Sequence, residues 1–219
     1  MCGIITVILS GTSTPTLEDV KSRLLKLKHR GPDHQSVVNI GSSVIMGHAR
    51  LSIVDVAGGS QPFRHRNMAM TVNGEIYNTK RLRESTPFPY STESDCEVIM
   101  PLVRSHYSNA MDKLDGQFAF VWVETDPIGN LMRWMVARDH IGICPLYTCL
   151  DIDGNRWFAS EIKALQHLTE HIVHVPPGHM MTGCGVVSAK MVQSTRPWYK
   201  PDWMTGPECW MILGHISAL

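Results

Sequence analysis

The sequence predicts an α+β domain built on antiparallel sheets. Three observations predict it: short apolar runs rich in β-branched side chains recur along the chain, turn signals separate neighbouring runs, and only a few stretches carry a helical period. At 219 residues the chain is long enough for one well-buried domain, with or without an appendage. It contains no internal repeat and no low-complexity tract.

Ile4 to Leu9 is an apolar, β-branched run closed by Ser10-Gly11, and predicts a buried strand that begins directly at Cys2. Thr16 with Asp19 has the pattern of a capping box, and Leu17, Val20, Leu24 and Leu27 recur at helical spacing until Gly31-Pro32 stops the helix. Val37–Ile40 and Val44–Gly47 read as strands joined through Gly41, and Met68–Val72 as another, ending in Asn73-Gly74. Asn-Gly is a strong turn signal, so on local grounds a turn is the expected conformation of that pair.

Ser94 to Tyr107 is helical by period, with Cys96, Ile99, Val103 and Tyr107 inward and Pro101 kinking or shortening it. Phe118–Glu124 and Arg133–Arg138 read as strands, and Leu146–Ile152 with Arg156–Ala159 as a hairpin about Asp153-Gly154. Ser160–Leu168 reads as a helix with Ile162, Leu165 and Leu168 on one face. Met180 to Val192 reads as a terminal hairpin about Gly183-Cys184-Gly185, and from Arg196 onward the chain has the look of a linker or tail.

Composition narrows the function. Twenty basic and twenty acidic residues give a formal net charge of zero, which favours neither nucleic acid nor a membrane surface as a partner. No apolar run approaches the roughly 18 residues of a membrane span, and the N-terminus lacks the features of a signal peptide. Six cysteines at irregular spacing, with no C-x-x-C pair, suit a reducing cytoplasm better than a disulfide framework or a zinc site. Eleven histidines include no HxxxH pair with a carboxylate between, so no metal is expected.

Cys2 is a candidate nucleophile. With Met1 removed it would carry a thiol and a free α-amine on one carbon, and an α-amine titrates at about 7.7–8.0, low enough to act as a base near neutrality. The alternative is a small buried hydrophobe. Arg50, Asn73-Gly74-Glu75 and Asp95 fall at the ends of predicted strands or just inside a helix start, where groups can be held rigidly. Arg50 can grip a carboxylate in a fork, Asp95 can hold an ammonium, and Asn73 with the Gly74 N–H can face an oxyanion. Spacing alone does not bring these groups together.

Several phrases in order resemble the class II glutamine amidotransferase domain, and in particular that of glutamine-hydrolysing asparagine synthetases. They are Met1-Cys2-Gly3-Ile4, His29-Arg30-Gly31-Pro32-Asp33, His48 to Asp55, Asn73 to Asn78, Ser94-Asp95-Cys96-Glu97, Ala137 to Gly142, Pro145-Leu146-Tyr147, Ala159 to Leu165 and Pro176 to His179. The resemblance runs from residue 1 to about Trp203, with 204–219 as a tail, expected to be a truncated linker to a synthetase domain. It implies a four-layer αββα N-terminal-nucleophile hydrolase fold. It implies that Cys2 attacks the side-chain amide of glutamine, forms a γ-glutamyl thioester and releases ammonia, then glutamate.

By the same resemblance Arg50 binds the substrate α-carboxylate with the backbone of Leu51, Ser52, Ile53 and Val54. Asn73 and Gly74 form the oxyanion hole, and Glu75 and Asp95 hold the α-amine. No cofactor is implied for hydrolysis. ATP and magnesium belong to a synthetase domain whose Ser-Gly-Gly-x-Asp-Ser loop does not occur in this sequence, so a synthetase domain or subunit is the implied partner beside glutamine, and an oligomer is compatible.

Cys144 departs from the lysine or aliphatic residue usual there. His29, Arg30 and Asp33 are expected to order the loop after the first helix, with a place at the border of the site as the alternative, Arg138 and Asp139 to form a structural ion pair, and Trp198, Trp203 and Trp210 to face a partner domain. The rival reading is a truncated regulatory or partner-binding protein that keeps the fold without catalysis. Other class II amidotransferases, for glucosamine phosphate or purine synthesis, fit the Cys2 chemistry but match Asn73–Asn78 and Ala159–Leu165 less well.

Overall fold

A computed structural model describes residues 1–10, 12–53, 55 and 58–185, and the backbone of 192–197. Among the described residues, strands and α-helices run in the order β1 (Gly3–Ile8), α1 (Leu17–Leu25), β2 (His34–Ile40), β3 (Val44–Arg50), β4 (Phe63–His65), β5 (Met68–Ile76), α2 (Thr79–Ser85), α3 (Ile99–His106), β6 (Gly116–Thr125), β7 (Leu131–Arg138), β8 (Tyr147–Leu150), β9 (Arg156–Ala159), β10 (Val173–His174), β11 (His179–Cys184) and β12 (Val192–Pro197). Two six-stranded sheets result, ordered β10-β8-β9-β1-β3-β2 and β12-β11-β7-β6-β5-β4. Neighbours in both pair antiparallel.

Period-two alternation explains the layering. Ile4, Ile8 and Met46 of the first sheet meet Ala119, Val121, Val123 and Val136 of the second in a shared central core. On the opposite face of the first sheet, Ile5, Val7 and Ile45 pack on Val20 and Leu24 of α1. Behind the second sheet, Val72, Phe118, Phe120 and Trp122 pack on Leu82 of α2 and Ile99, Leu102 and Val103 of α3. The arrangement is the four-layer αββα sandwich, and strands covered on both faces account for the nearly continuous apolar runs of β1 and β6.

The Thr16 capping box forms as the sequence predicts, with the Asp19 N–H donating to Thr16 Oγ1 at 3.2 Å and the Thr16 N–H to Asp19 Oδ2 at 2.9 Å. Pro101 stands in the first turn of α3, where its missing N–H is tolerated, and the preceding Asp95–Val98 is a separate 3-10 turn.

Three elements differ from expectation. Asn73-Gly74 is no turn: β5 runs straight through it, with Asn73 opposite Ala119 and Gly74 opposite Phe118, because pairing with β6 along the whole strand outweighs the local preference. A Cβ on Gly74 would stand 2.3 Å from the Gln117 carbonyl oxygen, so the glycine serves close strand approach.

Ser160–Leu168 is not a helix but contains the short 3-10 turn Ile162–Ala164. Ser160 is tied to β1, its Oγ accepting the Ile4 N–H at 2.9 Å and its own N–H donating to Ile4 O at 3.0 Å. Glu161 is therefore kept extended, and too little chain remains to nucleate a helix. The terminal hairpin pairs His179 with Pro197, so strand structure continues past Arg196, where a linker was expected. Val54, Cys209, Trp198, Trp203, Trp210 and the 204–219 tail lie outside the described residues. Among the described residues, no helix is long and apolar enough to cross a membrane.

Candidate active site

Antiparallel pairing of β1 with β3 sets Gly3 opposite Ala49, which brings Cys2, at the start of one strand, to Arg50 and Leu51, at the end of the other. The Cys2 Sγ accepts the Leu51 N–H at 3.4 Å and lies 3.7 Å from the Leu51 carbonyl oxygen. The end of β5 in the second sheet faces the same space. Cys2, Arg50, Leu51, Ile53, Asn73, Gly74, Glu75 and Asp95 all line one cavity of about 140 Å³. Ser52 stands outside that lining and donates its N–H to Asp33 Oδ2 at 2.7 Å.

Arg50 and Asp95 each have a support. Arg50, nearly buried, donates through Nη2 to the Asp55 carbonyl oxygen. Asp55 also accepts the Gly58 N–H at 2.9 Å and the Glu93 N–H at 3.0 Å on its two carboxylate oxygens, and so links Arg50 to the loop that presents Asp95. The buried Glu97 fixes that loop from beneath, accepting both the N–H and the hydroxyl of Ser91 and of Thr92. Asp95 Oδ2 accepts the Ile76 N–H at 2.6 Å, which ties it to the end of β5.

Asn73 is 2 % exposed and its Nδ2 has no hydrogen-bond partner among the described residues. A buried donor left unsatisfied costs about 1–3 kcal/mol, so a group beside a cavity in that state is suited to a ligand oxygen. His48 also lines the cavity. Burial, reinforced by Arg50 and His34, pulls it down to about 3, so the ring is neutral at physiological pH.

Three thiols line the cavity, in different states. Burial pushes Cys144 up to about 12, aided by Asp139, and raises Cys96 well above the ordinary thiol range, aided by Asp95. Both are inert at neutral pH. Cys2 is only partly buried.

Arg30 does more than order its loop. Its Nε donates to the Cys2 carbonyl oxygen at 2.9 Å, and its Nη1 donates to Glu161 Oε1 at 3.0 Å. His29 Nε2 lies 2.9 Å from the same oxygen, and Lys163 Nζ 3.2 Å from Oε2. Burial pushes the Glu161 carboxyl up, but hydrogen bonds from Arg30, His29 and Lys163 outweigh it and hold it at about 2.

Arg138 and Asp139 are structural, through the backbone: Arg138 donates to the Cys144, Val175 and Gly142 carbonyls, and Asp139 accepts the N–H groups of Phe118, Gly142, Ile143 and Cys144. The sequence assigned no site role to His48, Asp55 or Glu161. His48 and Asp55 sit in the phrase His48 to Asp55 and Glu161 in Ala159 to Leu165, phrases that carried the resemblance without a role for these residues.

A profile of the glutamine amidotransferase domain matches residues 1–192. The chain is 40% identical over 212 residues to the glutamine-hydrolysing asparagine synthetase 3 of Arabidopsis thaliana, covering 94% of this chain and 34% of that protein. It is 38% identical over 212 residues to asparagine synthetase 2 of Oryza sativa subsp. japonica, covering 94% and 33%. The chain thus spans about a third of the length of the curated relatives it matches. Among solved structures, the glutamine phosphoribosylpyrophosphate amidotransferase of B. subtilis superposes with a TM-score of 0.71 at 20% identity, over 91% of this chain and 50% of that one, a likeness of fold.

Proposed function

The chain belongs to the glutamine amidotransferase domain family, and on that premise we propose that it hydrolyses glutamine through Cys2 once Met1 is removed. The freed α-amine takes the thiol proton, directly or through water, and the sulfur attacks the side-chain amide carbon. The carbonyl oxygen becomes an oxyanion held by Asn73 Nδ2 and the Gly74 N–H. The tetrahedral intermediate collapses with return of the proton to the leaving nitrogen, releasing ammonia and leaving a γ-glutamyl thioester. Water, deprotonated by the same amine, then releases glutamate.

Arg50 grips the α-carboxylate with help from the backbone of Leu51 to Val54, and Asp95 with Glu75 receives the α-ammonium. All the groups this step uses are protein groups, and ATP and magnesium have no part in it. The observation that carries the reading is the buried, unsatisfied Asn73 amide nitrogen in the same cavity as the Cys2 thiol.

Its relatives are named glutamine-hydrolysing asparagine synthetases and this chain spans about a third of their length, so the ammonia is assigned to asparagine formation in a synthetase domain or subunit. The free thiols among the described residues favour a cytoplasmic setting. Steady-state ammonia release tests the reading. Cys2→Ala is expected to abolish turnover and Asp95→Ala to raise KM with kcat largely kept; wild-type kinetics in both would sink the assignment, leaving the fold as a binding module.

A further inference from the structure

We infer that Glu161 is a positioning residue for the nucleophile, acting through Arg30; the inference rests on the reading of Cys2 as the nucleophile. Cys2 stands before the first paired residue of β1, and the ends of chains fray unless tied down. The tie on its backbone is Arg30 Nε, and the tie on Arg30 is Glu161. Glu161 follows Ser160, which exchanges two hydrogen bonds with Ile4, two residues along from Cys2 on the same strand. The contacts close a ring from Cys2 through Arg30, Glu161 and Ser160 to Ile4, so the nucleophile's carbonyl is registered to its own strand by a side-chain bridge.

Two features separate this from an ordinary surface ion pair, which is worth about 0–1 kcal/mol. The Arg30 side chain is only 10% exposed. Its Nη2 is also buried without a partner among the described residues, at a cost of about 1–3 kcal/mol that a guanidinium placed for its own pairing would avoid. The guanidinium of Arg30 is placed by the two hydrogen bonds it makes among the described residues, one to the nucleophile and one to Glu161. Lys163 adds positive charge beside the carboxylate and a His29 ring nitrogen lies within hydrogen-bond distance of it, both favouring its ionised, accepting form.

The test uses the full chain with Met1 removed, assayed for ammonia release from glutamine. Glu161→Gln is expected to lower kcat about 10- to 100-fold, as small displacements of a reacting group do. KM should stay within about threefold, because Arg50 and Asp95 are untouched. Arg30→Lys, which keeps the charge but cannot bridge both partners, should reproduce that loss, and the double variant should be no worse than either single one, as for groups acting in one unit. Arg30→Lys also carries the test if Glu161→Gln fails to fold. Wild-type kcat in either folded variant, additive losses, or a loss of thermal stability with kcat unchanged would overturn the positioning role while leaving Cys2 as the nucleophile. A Met1-free wild type that releases no ammonia would overturn both, the Cys2 reading first.

Discussion

The two sheets hold their halves of the cavity by different means. On the first sheet, Cys2 and Arg50 sit at strand ends and depend on side chains reaching from elsewhere: Arg30 and Glu161 for one, Asp55 for the other. On the second, Asn73 and Gly74 lie inside a 9-residue strand paired position by position with β6, and depend on backbone register. A half held by separate side chains can be weakened in steps. A half held by register fails as a unit, because a slip moves every side chain at once.

The largest effect is expected where register is attacked directly. Gly74→Ala puts a Cβ 2.3 Å from the Gln117 carbonyl oxygen and 2.8 Å from Phe118 Cα, neither of which can swing away. It should cost about 3 kcal/mol or more in urea denaturation and remove ammonia release altogether. The side-chain-held half should respond by degrees: Arg50→Lys loses the fork but keeps the charge, and KM for glutamine should rise about 10- to 100-fold, the worth of about 1.5–3 kcal/mol for a charged hydrogen bond, with kcat nearly kept.

Between the halves lies His48, neutral and buried. Its folded value of about 3 lies below the ordinary 6.5, so the unfolded chain takes up a proton that the folded one refuses. The stability it contributes is fully present above pH 6.5 and is lost progressively toward pH 3, and thermal melts of His48→Gln should show a flatter decline over that window than the wild type. The smallest effect is expected far from the cavity. Thr16→Ala removes the α1 capping box and should cost about 1 kcal/mol with kcat and KM unchanged.

The strands were legible in the sequence because β-branched runs bounded by turn residues have few alternatives, and the α1 cap because its two partners lie three residues apart. Ile162, Leu165 and Leu168 mimic a helical stripe, but Ser160 and Glu161 are claimed by β1 and Arg30, ties that no local pattern carries. Asn73-Gly74 misleads for the same reason, since its partner strand begins some forty residues on. Arg50, Asn73 and Asp95 lie within recognisable phrases, which is how the sequence singles them out. The supports of Cys2 and Asp95 are less legible because they reach across the fold, Arg30 and Glu161 being 131 residues apart and Asp55 and Glu93 38 apart, and Asp55, though near Arg50 in the chain, has no local pattern to mark it. Convergence on one cavity comes from the stacking of two sheets, which spacing in the chain does not encode.

The most direct measurement is the mass of the purified full chain, before and after treatment with the diazo-ketone analogue of glutamine, followed by mapping of the labelled peptide. The account predicts a chain lacking Met1 that gains one adduct, on Cys2, with Cys96 and Cys144 unmodified and no adduct in Cys2→Ala. A Met1-free chain whose Cys2 stays unlabelled, or an adduct carried by Cys96 or Cys144 in its place, would contradict it.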